Sequence, residues 1–238
     1  MNFAKQLINW YTDNKRDLPW RNTTNPYYIW LSEIILQQTQ VIQGLPYYTA
    51  FTTNFPTVFD LAKAEEQEVL KLWQGLGYYS RARNLHASAK YIVDERDGHF
   101  PDTFDDIIKL KGVGDYTASA IASISFNEVT AVVDGNVYRA LSRIYGIYTP
   151  INTGKGFKEF KMLAQQLIDV KQPATFNQAI MEFGARLCKP KNPDCNNCPF
   201  NNTCVALEKA VITDLPVKIK SAKVSKKYFN FILHVHLS

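Results

Sequence analysis

Apolar residues recur at helical spacing from the start of the chain. Phe3, Leu7 and Trp10 fall three or four residues apart and predict an N-terminal helix. Asn25-Pro26 sets a capping residue before a proline at the first helical position, and the apolar run behind it predicts a helix to about Gln43. Leu85, Ala89, Ile92 and Val93 share one side of Ser80–Glu95, which Gly98 ends. Thr103, with Asp106 three residues on, makes a capping-box-like start to a short helix, aspartate standing where glutamate or glutamine is usual. Further helices are predicted over Tyr116–Ser125, Gly135–Tyr145, Phe157–Val170 and Phe176–Leu187. No long internal repeat and no convincing run of alternating residues precedes residue 210, so the expected fold class is all-α.

The pattern changes after about Ala210. Lys218 to Lys227 holds five lysines and reads as an exposed linker. Tyr228 to Leu237 is aromatic, β-branched and partly alternating, and reads as a strand. A lone strand is not stable by itself, so the chain is expected to stop as a further domain begins; the strand packing back on the helices is the alternative.

Composition narrows the classes. With 238 residues and 46% apolar content the chain can bury a real core. The net charge of +5 suits a nucleic-acid partner without requiring one. No stretch approaches the length of a membrane span, and the N-terminus lacks the apolar segment of a signal peptide, so a cytosolic protein is expected.

All four cysteines fall between Cys188 and Cys204, as Cys188-x6-Cys195-x2-Cys198-x5-Cys204. In a reducing compartment such clustering points to metal rather than disulfides. Four thiolates can hold tetrahedral zinc or an iron–sulfur cluster, and spacing alone leaves both open. Pro190, Pro193 and Pro199 favour an irregular loop, on which Lys189, Lys191 and Asn192 can reach a phosphate backbone or simply be solvated. The site can also be no more than a structural staple.

Three other features carry candidate chemistry. Gly112-Val113-Gly114 joins two predicted helices; it permits a tight turn, and the helix N-terminus it opens favours an anion such as a DNA phosphate. Glu33 is the only charged residue between Asn22 and Phe59, and on a continuous helix it shares an arc with Gln37 and Gln40. A carboxyl beside apolar groups has a raised pKa, which suits a general acid, but a structural glutamate paired with Arg16 or Arg21 fits equally. Asp134 follows the apolar run Val129–Val133 and is an N-cap candidate. The cap is compatible with chemistry, because a helix N-terminus keeps a carboxylate ionised. An ionised carboxylate near a protonated one is the pair that glycosidic cleavage needs.

Together, Leu110-x-Gly112-Val113-Gly114-x-x-Thr117-Ala118, the following Asp134 and the four-cysteine loop resemble the endonuclease III-like helix-hairpin-helix superfamily over nearly all of residues 3–208. Within it, Leu18-Pro19-Trp20, Trp30-Leu31-Ser32-Glu33 with Leu36-Gln37-Gln38-Thr39-Gln40-Val41, and Gly75–Leu85 resemble the MutY type. The resemblance implies a monofunctional glycosylase of base excision repair that removes adenine mispaired with 8-oxoguanine or guanine in double-stranded DNA, acting as a monomer. It implies two helical domains flanking a DNA-binding cleft: a six-helix domain over about 27–134, and a cluster domain of 1–26 plus 135–210, with 211–238 as linker and first strand of a nudix-like domain. Without the rest of that domain, discrimination of 8-oxoguanine over guanine is expected to weaken.

The resemblance also assigns residues. Glu33 and Asp134 are catalytic, Tyr116 and Asn136 position Asp134, and Trp20, Arg21 and Gln178 line the adenine pocket. Gln37 or Gln38, with Tyr78, fills the space the adenine leaves, and Gly112 and Gly114 hold a phosphate. Cys188, Cys195, Cys198 and Cys204 hold a [4Fe–4S] cluster. Bifunctional relatives carry a lysine where this chain has Tyr116, and tyrosine cannot form their Schiff base. The competing readings are a pyrimidine-damage glycosylase with lyase activity, a non-catalytic DNA-binding module and a structural zinc protein.

Overall fold

The computed structural model describes residues 3–219; the predicted strand and the lysine-rich stretch beyond Ile219 lie outside the described residues. Helix α1 (Phe3–Asn14) leads through a 3-10 turn at Pro19–Arg21 into α2 (Pro26–Leu36), α3 (Val41–Asn54), α4 (Val58–Lys63) and α5 (Glu66–Leu72). Then come α6 (Ser80–Arg96), α7 (Phe104–Ile107), α8 (Asp115–Phe126) and α9 (Gly135–Tyr145), and finally α10 (Gly154–Leu167), α11 (Pro173–Arg186) and α12 (Val205–Glu208). No strand occurs among the described residues, so the fold is all-α as expected. None of these helices is long and apolar enough to cross a membrane.

Local chemistry sets most boundaries. Asn25 Oδ1 accepts from the Tyr27 amide at 2.9 Å, and Pro26 occupies the first turn of α2, where no amide donor is needed. Helix α6 ends where Asp97 and Gly98 turn left-handed, at φ 51° and 78°. Thr103 caps α7, but Asp106 turns its carboxylate to Lys109 at 2.7 Å, so only half of the expected box forms. Helix α10 starts at Gly154, capped by Thr153, and stops before the extended Ile168, displaced from the predicted Phe157–Val170.

One predicted helix is two. The run expected to reach Gln43 stops at Leu36; Gln37 leaves helical geometry, Gln38 adopts φ 55°, and Gln40 becomes the N-cap residue of α3. The single arc of Glu33, Gln37 and Gln40 therefore does not exist. The break places Gln37, Gln38 and Thr39 as a loop at the end of a buried helix rather than on its flank.

Helix α2 is apolar nearly all round and lies in the core, with Ile29, Trp30, Leu31, Ile34 and Ile35 buried. Each such side chain contributes about 2 kcal/mol by leaving water. Helix α8 touches both α2 and α11, and α11 touches α1 and α9. This packing sets the C-terminal half of α2 opposite the N-terminus of α9.

Residues 129–133 lead into α9 without a strand partner, so side chains satisfy their backbone. Gln165 accepts from the Ala131 amide at 2.9 Å and donates to the Val129 carbonyl at 2.7 Å. The buried Asn177 accepts from the Val132 amide at 3.1 Å and donates to the Thr130 carbonyl and Ser123 Oγ, both at 2.8 Å. Lys161 Nζ ties the Ala131 carbonyl to Asp115 and Ser119 at 2.7–2.8 Å. The segment is thereby fixed against α8, α10 and α11, and aims Asp134.

Candidate active site

Asp134 is the N-cap of α9. Its Oδ1 accepts from the Asn136 and Val137 amides, and its Oδ2 from Asn136 Nδ2, each at 2.8 Å. Burial pushes the carboxyl above its ordinary value, while those donors and the Arg139 charge pull it back. Asp134 is half-buried, whereas Glu33, on α2, is buried. Burial raises its pKa, a hydrogen bond from the Tyr116 hydroxyl lowers it, and the Asp134 charge raises it again, to about 7. The Tyr116 hydroxyl also lies 3.1 Å from Met181 Sδ, and burial keeps the phenol protonated far above its usual range. Asp134 has three amide donors and Glu33 one hydroxyl, so the pair's first proton leaves from Asp134 and its second is held by Glu33.

Glu33, Tyr116, Asp134 and Asn136 line one cavity of about 470 Å³, together with Trp20, Arg21, Gln37 and Gln38. A smaller recess of about 40 Å³ adjoins it; Trp20, Arg21, Glu33 and Met181 border both, and Gln178 borders the recess. Gln178 Oε1 accepts from the Tyr11 hydroxyl at 2.8 Å, which leaves its amide N–H groups as donors. Tyr78 does not line the cavity; it stands 66% exposed on the loop before α6.

The alternative pairing of Glu33 with Arg16 or Arg21 does not occur. Both arginines bind Glu182, at 2.6 and 2.7 Å. Burial alone would raise the Glu182 carboxyl, but the hydrogen bonds from Arg16 and Arg21 outweigh it and hold it at about 2. With both cations neutralised elsewhere, no arginine stabilises the Glu33 anion. Sequence reasoning missed Glu182 and Met181, although both lie within one turn of Gln178 on α11.

Arg139 was missed as well, although it sits three residues after Asn136 on the same face of α9. Its Nη2 donates to Asn136 Oδ1 at 2.8 Å and to the Gly184 carbonyl at 2.7 Å, and its Nε donates to the Cys188 carbonyl at 2.8 Å. Arg139 thus fixes the amide orientation that lets Asn136 donate to Asp134.

The glycine hairpin lies outside both cavities. Gly112 is left-handed at φ 79°, and an added Cβ would come within 2.9 Å of Asn84 Cβ. Gly114 is extended and faces open space, so it leaves room for a guest at the start of α8. Gly112→Ala is therefore expected to lower stability by about 1–3 kcal/mol in urea unfolding, and Gly114→Ala much less.

The four thiols line one small apolar cavity with Arg143, and none forms a disulfide. Among the described residues no group of three or more His, Cys, Asp or Glu is placed to hold a metal ion. The donors around the sulfurs nonetheless suit thiolates: the Phe200 amide donates to Cys198 Sγ at 3.4 Å and Arg143 Nη1 to Cys188 Sγ at 3.6 Å. The buried Arg143 also holds the loop through the Lys189 and Pro190 carbonyls at 2.8 and 3.2 Å. Four cysteines lining one cavity supply the donor set of a four-thiolate centre.

Glu33 and Asp134 therefore share one cavity on an all-helical frame. Residues 31–180 match the HhH-GPD superfamily of base excision DNA repair proteins, and the chain belongs to that family. It is 46% identical over 213 residues to an adenine DNA glycosylase of Rattus norvegicus, covering 86% of this chain and 41% of that protein. It is 38% identical to an adenine DNA glycosylase of Buchnera aphidicola, covering 97% of this chain and 67% of that one. The chain thus spans about two fifths of its mammalian relatives. In structure it resembles a thermostable thymine-DNA glycosylase, with TM-score 0.80 and 29% identity over 87% of this chain and 95% of the other.

Proposed function

We propose that the chain hydrolyses the N-glycosidic bond of adenine mispaired with 8-oxoguanine or guanine in duplex DNA, without efficient strand cleavage. The observation that carries this is Glu33, whose carboxyl retains its proton to about pH 7 beside an Asp134 carboxylate held by three amide donors. The target nucleotide leaves the stack, because its reacting bond is inaccessible in the duplex. Gly112 and Gly114 bind a backbone phosphate, and Trp20, Arg21 and Gln178 receive the base. Glu33 gives its proton to N7 of adenine. The bond between C1′ and N9 breaks with its electron pair leaving on the base. The oxocarbenium-like sugar is stabilised by the Asp134 carboxylate, which Asn136 holds in place, while the Tyr116 hydroxyl holds Glu33. Water adds to C1′ and its proton passes to Glu33, restoring the acid and leaving an abasic site.

Tyrosine rather than lysine stands at position 116, and its half-buried phenol stays protonated, which supports hydrolysis over Schiff-base chemistry. The four cysteines would hold a [4Fe–4S] cluster, on a loop that Arg143 and Arg139 tie to α9. We further propose that the chain acts as a cytosolic monomer, with a six-helix unit over 27–134 facing a cluster unit of 1–26 plus 135–210.

Incubation with duplexes carrying adenine opposite 8-oxoguanine, adenine opposite guanine, or thymine glycol opposite adenine tests this reading. Adenine release from the first two, with strand breaks only after alkali, is expected. Spontaneous breaks at thymine glycol would favour the pyrimidine-lyase reading and overturn this one.

A further inference from the structure

Two non-glycine residues, one in the loop after α2 and one in the loop before α6, sit in left-handed backbone: Gln38 at φ 55° and Tyr78 at φ 47°. Such conformations persist only where the surroundings over-determine them. One side chain does so for both. Arg81 reaches from α6 between the two loops. Its Nη1 is shared among the carbonyls of Ile34 (3.0 Å), Ile35 (3.1 Å) and Gln37 (2.6 Å), at the C-terminus of α2. Its Nη2 lies 3.3 Å from the Leu76 carbonyl and 3.4 Å from that of Gly77, in the Tyr78 loop. The guanidinium lies 5.0 Å from the Trp73 ring centroid and 5.8 Å from that of Tyr78.

The Tyr78 loop is pinned from its other side too. Trp73 Nε1 donates to the Gly77 carbonyl at 3.0 Å, and the Tyr47 hydroxyl to the Gln74 carbonyl at 2.9 Å. Arg81 joins this loop to the one that carries Gln37 and Gln38. A lysine has one ammonium and cannot span two sets of carbonyls with a planar fork.

We propose that Arg81 is a positioning residue that locks Gln38 and Tyr78 into one rigid wedge, so that adenine is driven out of the stack rather than passively captured. This rests on the proposed adenine chemistry, but concerns extrusion rather than bond cleavage. A guanidinium that merely capped α2 would affect stability and leave extrusion alone.

The test uses the full chain and its Arg81→Lys and Arg81→Gln variants. Two readouts are followed on a duplex with adenine opposite 8-oxoguanine: fluorescence of 2-aminopurine placed beside the adenine, which reports extrusion, and single-turnover adenine release. Release is also measured on the same duplex with a one-nucleotide gap opposite the adenine, where no pairing resists extrusion. On the paired duplex, extrusion and release in Arg81→Lys are expected to fall on the order of 100-fold, and release on the gapped duplex to stay within about threefold of the native chain. Gln38→Ala should slow extrusion in the native background and add little in Arg81→Lys. Equal losses on both duplexes, unchanged fluorescence kinetics, or failure of both Arg81 variants to fold would each overturn the proposal. A native chain that extrudes but releases no adenine would instead refute the glycosylase reading, because the fluorescence readout does not depend on cleavage.

Discussion

Glu33→Gln is expected to lower the single-turnover rate of adenine release about 10³-fold or more while leaving DNA affinity within about threefold. Glutamine keeps the size and polarity of the side chain but carries no transferable proton. Residual release within tenfold of the native rate would remove Glu33 from the acid role. The same variant carries a stability signature of opposite sign. An ordinary glutamate titrates near 4.5, whereas burial raises Glu33 to about 7. Between those values the unfolded chain has released the proton and the folded chain still holds it. Native stability therefore falls as pH rises from about 4.5 to about 7, and is level above that. Glutamine removes this penalty. In urea unfolding, Glu33→Gln is expected to exceed the native chain by about 3 kcal/mol at pH 8, with the gap closing towards pH 4.5. A catalytically dead variant that is also more stable is the mark of a group held at a cost for its chemistry.

Asp134→Asn is expected to reduce release by a comparable factor, about 10³-fold, for a different reason. Asparagine caps a helix as well as aspartate, so α9 should stay formed. Its side-chain amide would, however, meet Asn136 Nδ2 donor to donor, and one of the three bonds now at 2.8 Å would be lost. The stability cost should be about 1 kcal/mol, visible as a small drop in melting temperature. The large loss of rate comes from removing the negative charge that faces the sugar. Adenine release within tenfold of the native rate would mean that the cap is the whole role of Asp134.

Much of the fold could be read along the chain because its helix signals are local. Asn25 and Asp134 are caps that work within three residues of themselves, and Gly98 ends a helix by its own conformation. Helices α4 and α5 span six and seven residues, too short for a periodic stripe to show. The break after Leu36 left no glycine or proline signal; the carbonyls freed there are satisfied by Arg81, some 45 positions away. Tertiary contact overrode a locally helical sequence.

The site divides in the same way. Glu33 stood out as a lone charge on an apolar helix, and Asp134 as a cap behind an apolar run. Whether Glu33 was paired could not be read from spacing, since Arg16, Arg21 and Glu182 meet only through the packing of α1 and α11. The hold of Arg139 on Asn136 behind Asp134 depends on the same long-range packing, which carries the guanidinium to the Gly184 and Cys188 carbonyls.

The single-turnover rate of adenine release as a function of pH, with enzyme in excess over a duplex bearing adenine opposite 8-oxoguanine, tests the central claim most directly. A buried acid titrating near 7 predicts a plateau around pH 6 and a fall approaching tenfold per pH unit above about 7. A rate that stays level to pH 9 would show that no group in this range donates the proton, and would contradict the assignment of Glu33.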